Sequence, residues 1–192
     1  MPETLTYIKG WENFYVITGS AAAGLTGLTF VVIALASEAN MVRLSGLRAF
    51  ITPIVIHFGS VLWIASILSI PGHTALSLCI SFIVTAITLT IYSAVTIYRM
   101  YANRDTYAPA LQDWVWNASL PSLCCLSLLA AGVMVFEQPV LALYIVGLDT
   151  LAMLFIGVHN AWDLAVWITA ERPGRQREQG ARDGAESSDK RG

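Results

Sequence analysis

Residues 14–36 read FYVITGSAAAGLTGLTFVVIALA, twenty-three positions without a charge. A bilayer core about 30 Å thick is crossed by about 20 apolar residues of α-helix. Four further runs of this kind follow. Phe50–Ile70 stops at Pro71-Gly72, and Ala75–Tyr98 comes next. Leu120–Phe136 is shorter and is extended backwards by Val115 and Trp116. Pro139 opens the last run, Val140–Ile168, which is long enough to tilt or to run out along the membrane surface. The chain around them has 192 residues, 56% hydrophobic and 12% charged. That charge share is about half that of an ordinary soluble domain, too little to clothe a surface facing water.

The charges are also unevenly placed. Three lie in residues 1–13, ten in 14–168 and eleven in 171–192. The sequence therefore predicts an all-α integral membrane bundle of five transmembrane helices, at about 14–36, 50–70, 75–98, 116–136 and 140–168. An N-terminal stub, 1–13, precedes the transmembrane domain, 14–170. A polar tail, 171–192, follows, and its mixed charges with Gly, Ser and Gln predict disorder. The linkers Pro71–Thr74 and Glu137–Pro139 are short enough to make spans two and three, and spans four and five, antiparallel neighbours.

Basic residues set the orientation. With five spans, Arg43 and Arg48, Arg99 and Arg104, and the six basic residues of the tail share one side, and Lys9 stands alone on the other. Loops rich in Lys and Arg stay in the cytoplasm, which places the N-terminus outside and the C-terminus inside. Trp11, Phe14 and Tyr15 fall where span one meets the outer surface, and Tyr98, Tyr101, Trp114, Trp116, Trp162 and Trp167 near the inner one, as interfacial anchors. The stub lacks the basic region of a cleavable signal peptide, so span one reads as an uncleaved anchor. Cys79, Cys124 and Cys125 have neither the depth nor the spacing for a disulfide.

Three features could carry function. In span one, Gly19, Ala23 and Gly27 recur every four residues, as do Ser20 and Gly24. Small residues on one helix face allow close backbone approach in lipid, either inside the bundle or between subunits around an axis. In span three, Thr74, Ser77, Ser81, Thr85, Thr88, Tyr92 and Thr96 fall within an arc of roughly 100° leading to Arg99. Their hydroxyls can bond between helices or line a conduction path, and each can also bond its own backbone.

The third feature is Asp149, about 13 Å into span five and close to the midplane. An acid there costs roughly 2.5–3.5 kcal/mol to insert, so it faces a partner or a cavity. Asn160 and Asp163 lie within about 40° of the same face, with His159 beside them. His57 of span two stands at a depth between Asp149 and His159. These depths permit a ladder Asp149, His57, His159/Asn160, Asp163, readable as a proton relay, a cation site or a structural hydrogen-bond set.

Enzymatic readings find less support. Gly147-Leu148-Asp149 lacks the second glycine and the second acid of an intramembrane aspartyl protease, whose carboxyls share a proton. There is no His-Glu-x-x-His, no Gly-x-Ser-x-Gly and no nucleotide-binding loop. The loop Arg99–Trp116 is too short for a catalytic domain. No metal-ligand spacing, cofactor motif or basic patch for nucleic acid appears. The sequence predicts no enzyme, no cofactor and no metal.

Trp11-Glu12-Asn13-Phe14-Tyr15, followed by Gly19-Ser20-Ala21-Ala22-Ala23-Gly24-Leu25-Thr26-Gly27-Leu28-Thr29-Phe30-Val31, resembles the first helix of a group of small uncharacterised bacterial multi-pass membrane proteins. Some of these are labelled modulators of the membrane protease FtsH. The likeness covers about twenty residues and implies a protein of the bacterial inner membrane. The reading that follows is a homo-oligomer in the lipid bilayer passing protons or cations along polar faces of spans two, three and five. The alternative is a non-conducting partner of another membrane complex, such as a protease.

Overall fold

The computed structural model describes the backbone of residues 8–38, 44–102 and 111–189, with side chains over 8–35, 52–102 and 111–166. Arg43, Arg104 and the stub before Ile8 lie outside these residues, as do the side chains of Arg48 and of the basic tail.

Every long element among the described residues is a helix: α1 (Glu12–Glu38), α2 (Leu44–Leu68), α3 (Ala75–Ala102), α4 (Leu111–Met134) and α5 (Pro139–Asp189). Four of them, α1, α3, α4 and α5, contain stretches long and apolar enough to cross a membrane. The apolar described part of α2, Thr52–Leu68, is shorter. The backbone of α5 stays helical to Asp189, past the boundary at Glu171 where composition predicts an irregular tail. That segment is rich in Arg, Gln, Glu and Ala, which favour helix locally.

Two chain reversals lie among the described residues. After α2, Gly72 takes a left-handed φ of 82°, where a side chain would be strained. His73 then ties both helix ends together: Nε2 lies 2.6 Å from the Ile67 carbonyl and Nδ1 lies 3.0 Å from Ser77 Oγ. A carbonyl only accepts, so Nε2 carries the proton. Thr74 caps α3, taking the Ser77 N–H on its hydroxyl at 3.1 Å, while Ser77 Oγ takes the Thr74 N–H at 2.9 Å. This is a capping box with serine in the place of glutamate. Between α4 and α5 the chain turns at Glu137-Gln138, whose N–H groups both donate to the Met134 carbonyl, and α5 starts at Pro139. Spans four and five are thus separate helices.

One turn of α4 is wide. Val115–Ser119 is π-helical, and the Leu120 N–H donates to the Val115 carbonyl five residues back. Pro121 follows directly. It has no N–H to offer the Asn117 carbonyl, and its ring crowds that carbonyl in a regular α-turn. The wide turn relieves the crowding and aims Trp116 inward.

Helix neighbours only partly follow the connections. α2 packs on α1 and α5, α5 packs on α4, and α4 packs on α3. The expected pairing of spans four and five is present. Spans two and three, despite their short turn, meet mainly through one bond, Trp63 Nε1 donating to Thr85 Oγ1 at 3.1 Å.

Glycines seat the packed pairs. A Cβ at Gly19 would stand 2.8 Å from Ala65 Cβ, joining α1 to α2. One at Gly157 would stand 2.5 Å from Phe58 Cε1, joining α2 to α5. At Gly132 it would meet Ile83 at 3.0 Å, joining α3 to α4. Water drives no association between helices inside lipid, so close backbone approach carries it. The outward face is greasy to match: Val16, Ile17, Leu28, Leu126, Leu148 and Phe155 are all more than half exposed.

Candidate functional site

Asp149 lies ten residues past Pro139, in the first half of the apolar stretch Pro139–Val166 of α5, and is 7% exposed. Ser127 of α4 donates its hydroxyl to Asp149 Oδ1 at 2.7 Å. A serine in a helix ordinarily gives its single proton to a carbonyl of the preceding turn. Those carbonyls are within reach here too, Leu123 at 2.9 Å and Cys124 at 3.1 Å. The carboxyl is the shortest of the three.

The other carboxyl oxygen, Oδ2, has no partner, and neither has the Tyr15 hydroxyl; both are fully buried atoms. Tyr15 is 1% exposed and belongs to the core, contrary to its reading as an interfacial anchor. Its ring meets Phe14 edge-on at 5.0 Å and lies 6.1 Å from Trp11. Trp11 in turn lies edge-on to Tyr144 at 4.9 Å and covers Gly147, where a Cβ would stand 2.7 Å from the indole. Burying one polar atom unpaired costs about 1–3 kcal/mol.

Contacts fix the heights of these groups. Trp11 marks the level of Gly147, and Phe58 that of Gly157. Gly19 marks the level of Ala65, which stands seven residues, or about 10 Å, along α2 from Phe58. Gly19 is therefore level with about residue 150 of α5. So α1 and α5 run side by side in one direction, and Tyr15 stands beside Asp149 to within about a turn. Tyr15 and the buried thiols of Cys124 and Cys125 lie close enough to Asp149 to feel a charge there.

The remaining residues of the ladder form two other groups. His57 and Asn160 are both buried, and ring Nδ1 meets amide Nδ2 at 3.5 Å. Asn160 is eleven residues beyond Asp149, about 16 Å along the helix, so His57 does not touch the acid. His159 stacks on Trp116, with ring centres 3.9 Å apart at 24°, and its Nε2 lies 3.3 Å from Asp163 Oδ2. Gln112 reaches the same nitrogen at 3.5 Å. The π turn of α4 supplies Trp116 to this group.

The hydroxyl stripe of α3 spends itself on its own backbone. Ser81, Thr85 and Thr88 each donate to the carbonyl four residues back, at 2.8, 2.7 and 2.8 Å. Thr85 alone of these also accepts, from Trp63. Thr88 is exposed, and Tyr92 is half-buried. The hydroxyl contact between α3 and α4 is made off the stripe, by Ser93 and Ser122 at 2.8 Å.

Of the small residues in α1, Gly19 is buried against α2, whereas Ser20, Ala23, Gly24 and Gly27 are exposed. A Cβ at Gly24 or Gly27 would meet nothing within 4 Å. The repeat thus divides between an inner seat and an open outer face.

No family model, curated protein or solved structure matches this chain. The site is therefore read from its chemistry alone. Sequence periodicity found Asp149 because an acid in an apolar run stands out. It missed Ser127 and Tyr15, because a serine and a tyrosine in such a run do not. His73, Trp116 and Gln112 were missed as side-chain partners because their partners lie on other helices or turns, which position along the chain does not reveal.

Proposed function

We propose that this chain spans the bacterial inner membrane five times, with its N-terminus outside and C-terminus in the cytoplasm. It self-associates through Ser20, Ala23, Gly24 and Gly27, and passes protons or small cations by way of Asp149. All five helices must cross for the basic loops and tail to share the cytoplasmic side. The observation that carries the functional reading is the acid itself: buried within an apolar span, half satisfied by Ser127, with one oxygen left open. Ionisable groups at such depth are costly, and they mark ion or proton pathways in membrane proteins. The open small-residue face of α1 suits contact with a second copy, since small residues let helices in lipid approach closely.

The test is flux in vesicles reconstituted with purified protein. Wild type should dissipate an imposed proton or cation gradient. Asp149→Asn, which keeps shape and removes the ionisable group, should reduce the rate by at least tenfold. Equal rates in both, with both folded, would remove the reading.

One observation favours a second reading, a non-conducting partner of another membrane complex such as a protease. The polar groups stand as three separate sets, and the α3 hydroxyls serve their own helix. The resemblance of span one to modulators of a membrane protease points the same way. Cross-linking in native membranes separates the two: a homo-oligomer supports conduction, and stable capture of a larger complex supports the partner reading.

A further inference from the structure

The geometry points to a proton, held by Asp149 between Ser127 and Tyr15, as the species this site takes. The inference rests on the reading of Asp149 as the functional group and deepens it. Two oxygens in the site are unpartnered, Asp149 Oδ2 and Tyr15 Oη, and both are buried. They belong to α5 and α1, which stand side by side at this height.

A hard metal cation takes about six oxygen ligands. Here one carboxylate oxygen and one phenol are open, and the buried residues a turn or less from Ser127 and Asp149 on their helices include Cys124, Cys125, Val146 and Met153. Among the described residues, no three His, Cys, Asp or Glu side chains come together as ligands. A proton needs a single acceptor, and the hydrogen bonds present can serve the acid with or without one.

With Asp149 ionised, Ser127 gives its proton to Oδ1 across the observed 2.7 Å. When a hydronium ion delivers a proton, the new O–H bond forms on Oδ1 and a water molecule leaves. Oδ1–H then donates to Ser127 Oγ, and the serine proton turns to the Leu123 carbonyl, already 2.9 Å away. Tyr15 keeps its own proton in both states; its hydroxyl has no partner in the structure and stands within about a turn of the acid. It is a positioning residue, and the site releases its proton by the reverse steps. No donor or acceptor of Ser127 is stranded in either state, and leaving one stranded is what makes protonation change expensive in a dry interior.

The ionisable groups facing Asp149 are few. Tyr15 comes from α1, and Cys124 and Cys125 come from α4. On α5 itself no other ionisable side chain but Tyr144 occurs between Val140 and Val158. From α2, His57 pairs with Asn160 farther along.

The test is infrared difference spectroscopy of the full chain in lipid, titrated with acid. A protonated-carboxyl C=O band should appear in wild type and be absent from Asp149→Asn. Tyr15→Phe should shift its frequency, because the unpartnered hydroxyl beside the carboxyl is lost. Ser127→Ala should shift it independently through Oδ1, which keeps the test decisive if the tyrosine variant fails to fold. Replacing Na⁺ by K⁺, or adding Ca²⁺, should change neither band nor titration. The proposal is overturned by the absence of the band at every pH, by a band that neither variant moves, or by a titration that follows metal-ion concentration. Vesicle flux is read separately. A band behaving as stated in a protein that moves no protons leaves this inference standing and removes the conduction reading.

Discussion

Gly157→Leu is expected to lower the stability of the bundle by about 3 kcal/mol, the upper end of what overpacking a core costs. The side chain would have to share space with the Phe58 ring, whose Cε1, Cδ1 and Cζ stand 2.5, 2.7 and 3.1 Å from a Cβ at that position. Phe58 is completely buried and cannot swing into lipid. The helices would have to part, and α2 has α1 on its other side. Separation would also pull His57 from Asn160, the polar pair next to this contact. Gly27→Leu, on the open face of α1, should change the stability of the isolated chain by less than about 0.5 kcal/mol. Phe58→Ala alone should cost about 3–5 kcal/mol. Combined with Gly157→Leu it should cost less than the sum, because the leucine fills the vacated space. Reversible unfolding in micelles measures all four proteins. Equal losses at Gly157 and Gly27 would show that α2 and α5 do not meet as described.

Asp149→Leu is expected to stabilise the fold while abolishing function, the reverse of what a structural hydrogen-bond pair would do. Replacing buried ionic groups by apolar ones of suitable size is often neutral or stabilising by about 1–4 kcal/mol. Nothing here opposes a gain. Ser127 returns its proton to the Leu123 carbonyl at 2.9 Å, so it is not stranded. The unpartnered Oδ2 disappears, and Tyr15 Oη is no worse placed than before. A residue retained at a cost to stability is the mark of a functional group. We expect a rise of about 1 kcal/mol in unfolding free energy together with loss of gradient dissipation. A loss of more than about 2 kcal/mol would assign Asp149 to holding α4 against α5.

The positions of the helices were legible because lipid demands long apolar runs, and the charges of the loops interrupt them. The reversal at Glu137-Gln138-Pro139 was legible for the same reason. The direction in which each helix faces was not. In water, the contrast between polar and apolar residues marks the buried face. In a bilayer both faces are apolar, and the mark is gone. Tyr15 looked like an interfacial anchor on that account, and it lies in the core. The small-residue repeat of span one was visible, yet only Gly19 turns inward. Gly132 and Gly157, which seat two other helix pairs, carry no repeat at all. The arc of hydroxyls on α3 is real, but Ser81, Thr85 and Thr88 bond their own turns, a local option that periodicity cannot distinguish from a path. Asp149 was visible because an acid inside an apolar run is expensive anywhere in lipid. Its partners came from α4 and α1, and depth along a span does not say which helices touch. Of the ladder, the contacts of His57 with Asn160 and of His159 with Asp163 are present, and the link from His57 to Asp149 is not.

The place of Asp149 inside the membrane depends on all five helices crossing. Protease protection in sealed vesicles of known orientation tests that most directly, using one epitope tag at each end of the chain. Five crossings predict that the N-terminal tag is cut only from the outside and the C-terminal tag only from the cytoplasmic side. Cleavage of both tags from one side would mean an even number of crossings and would contradict the account.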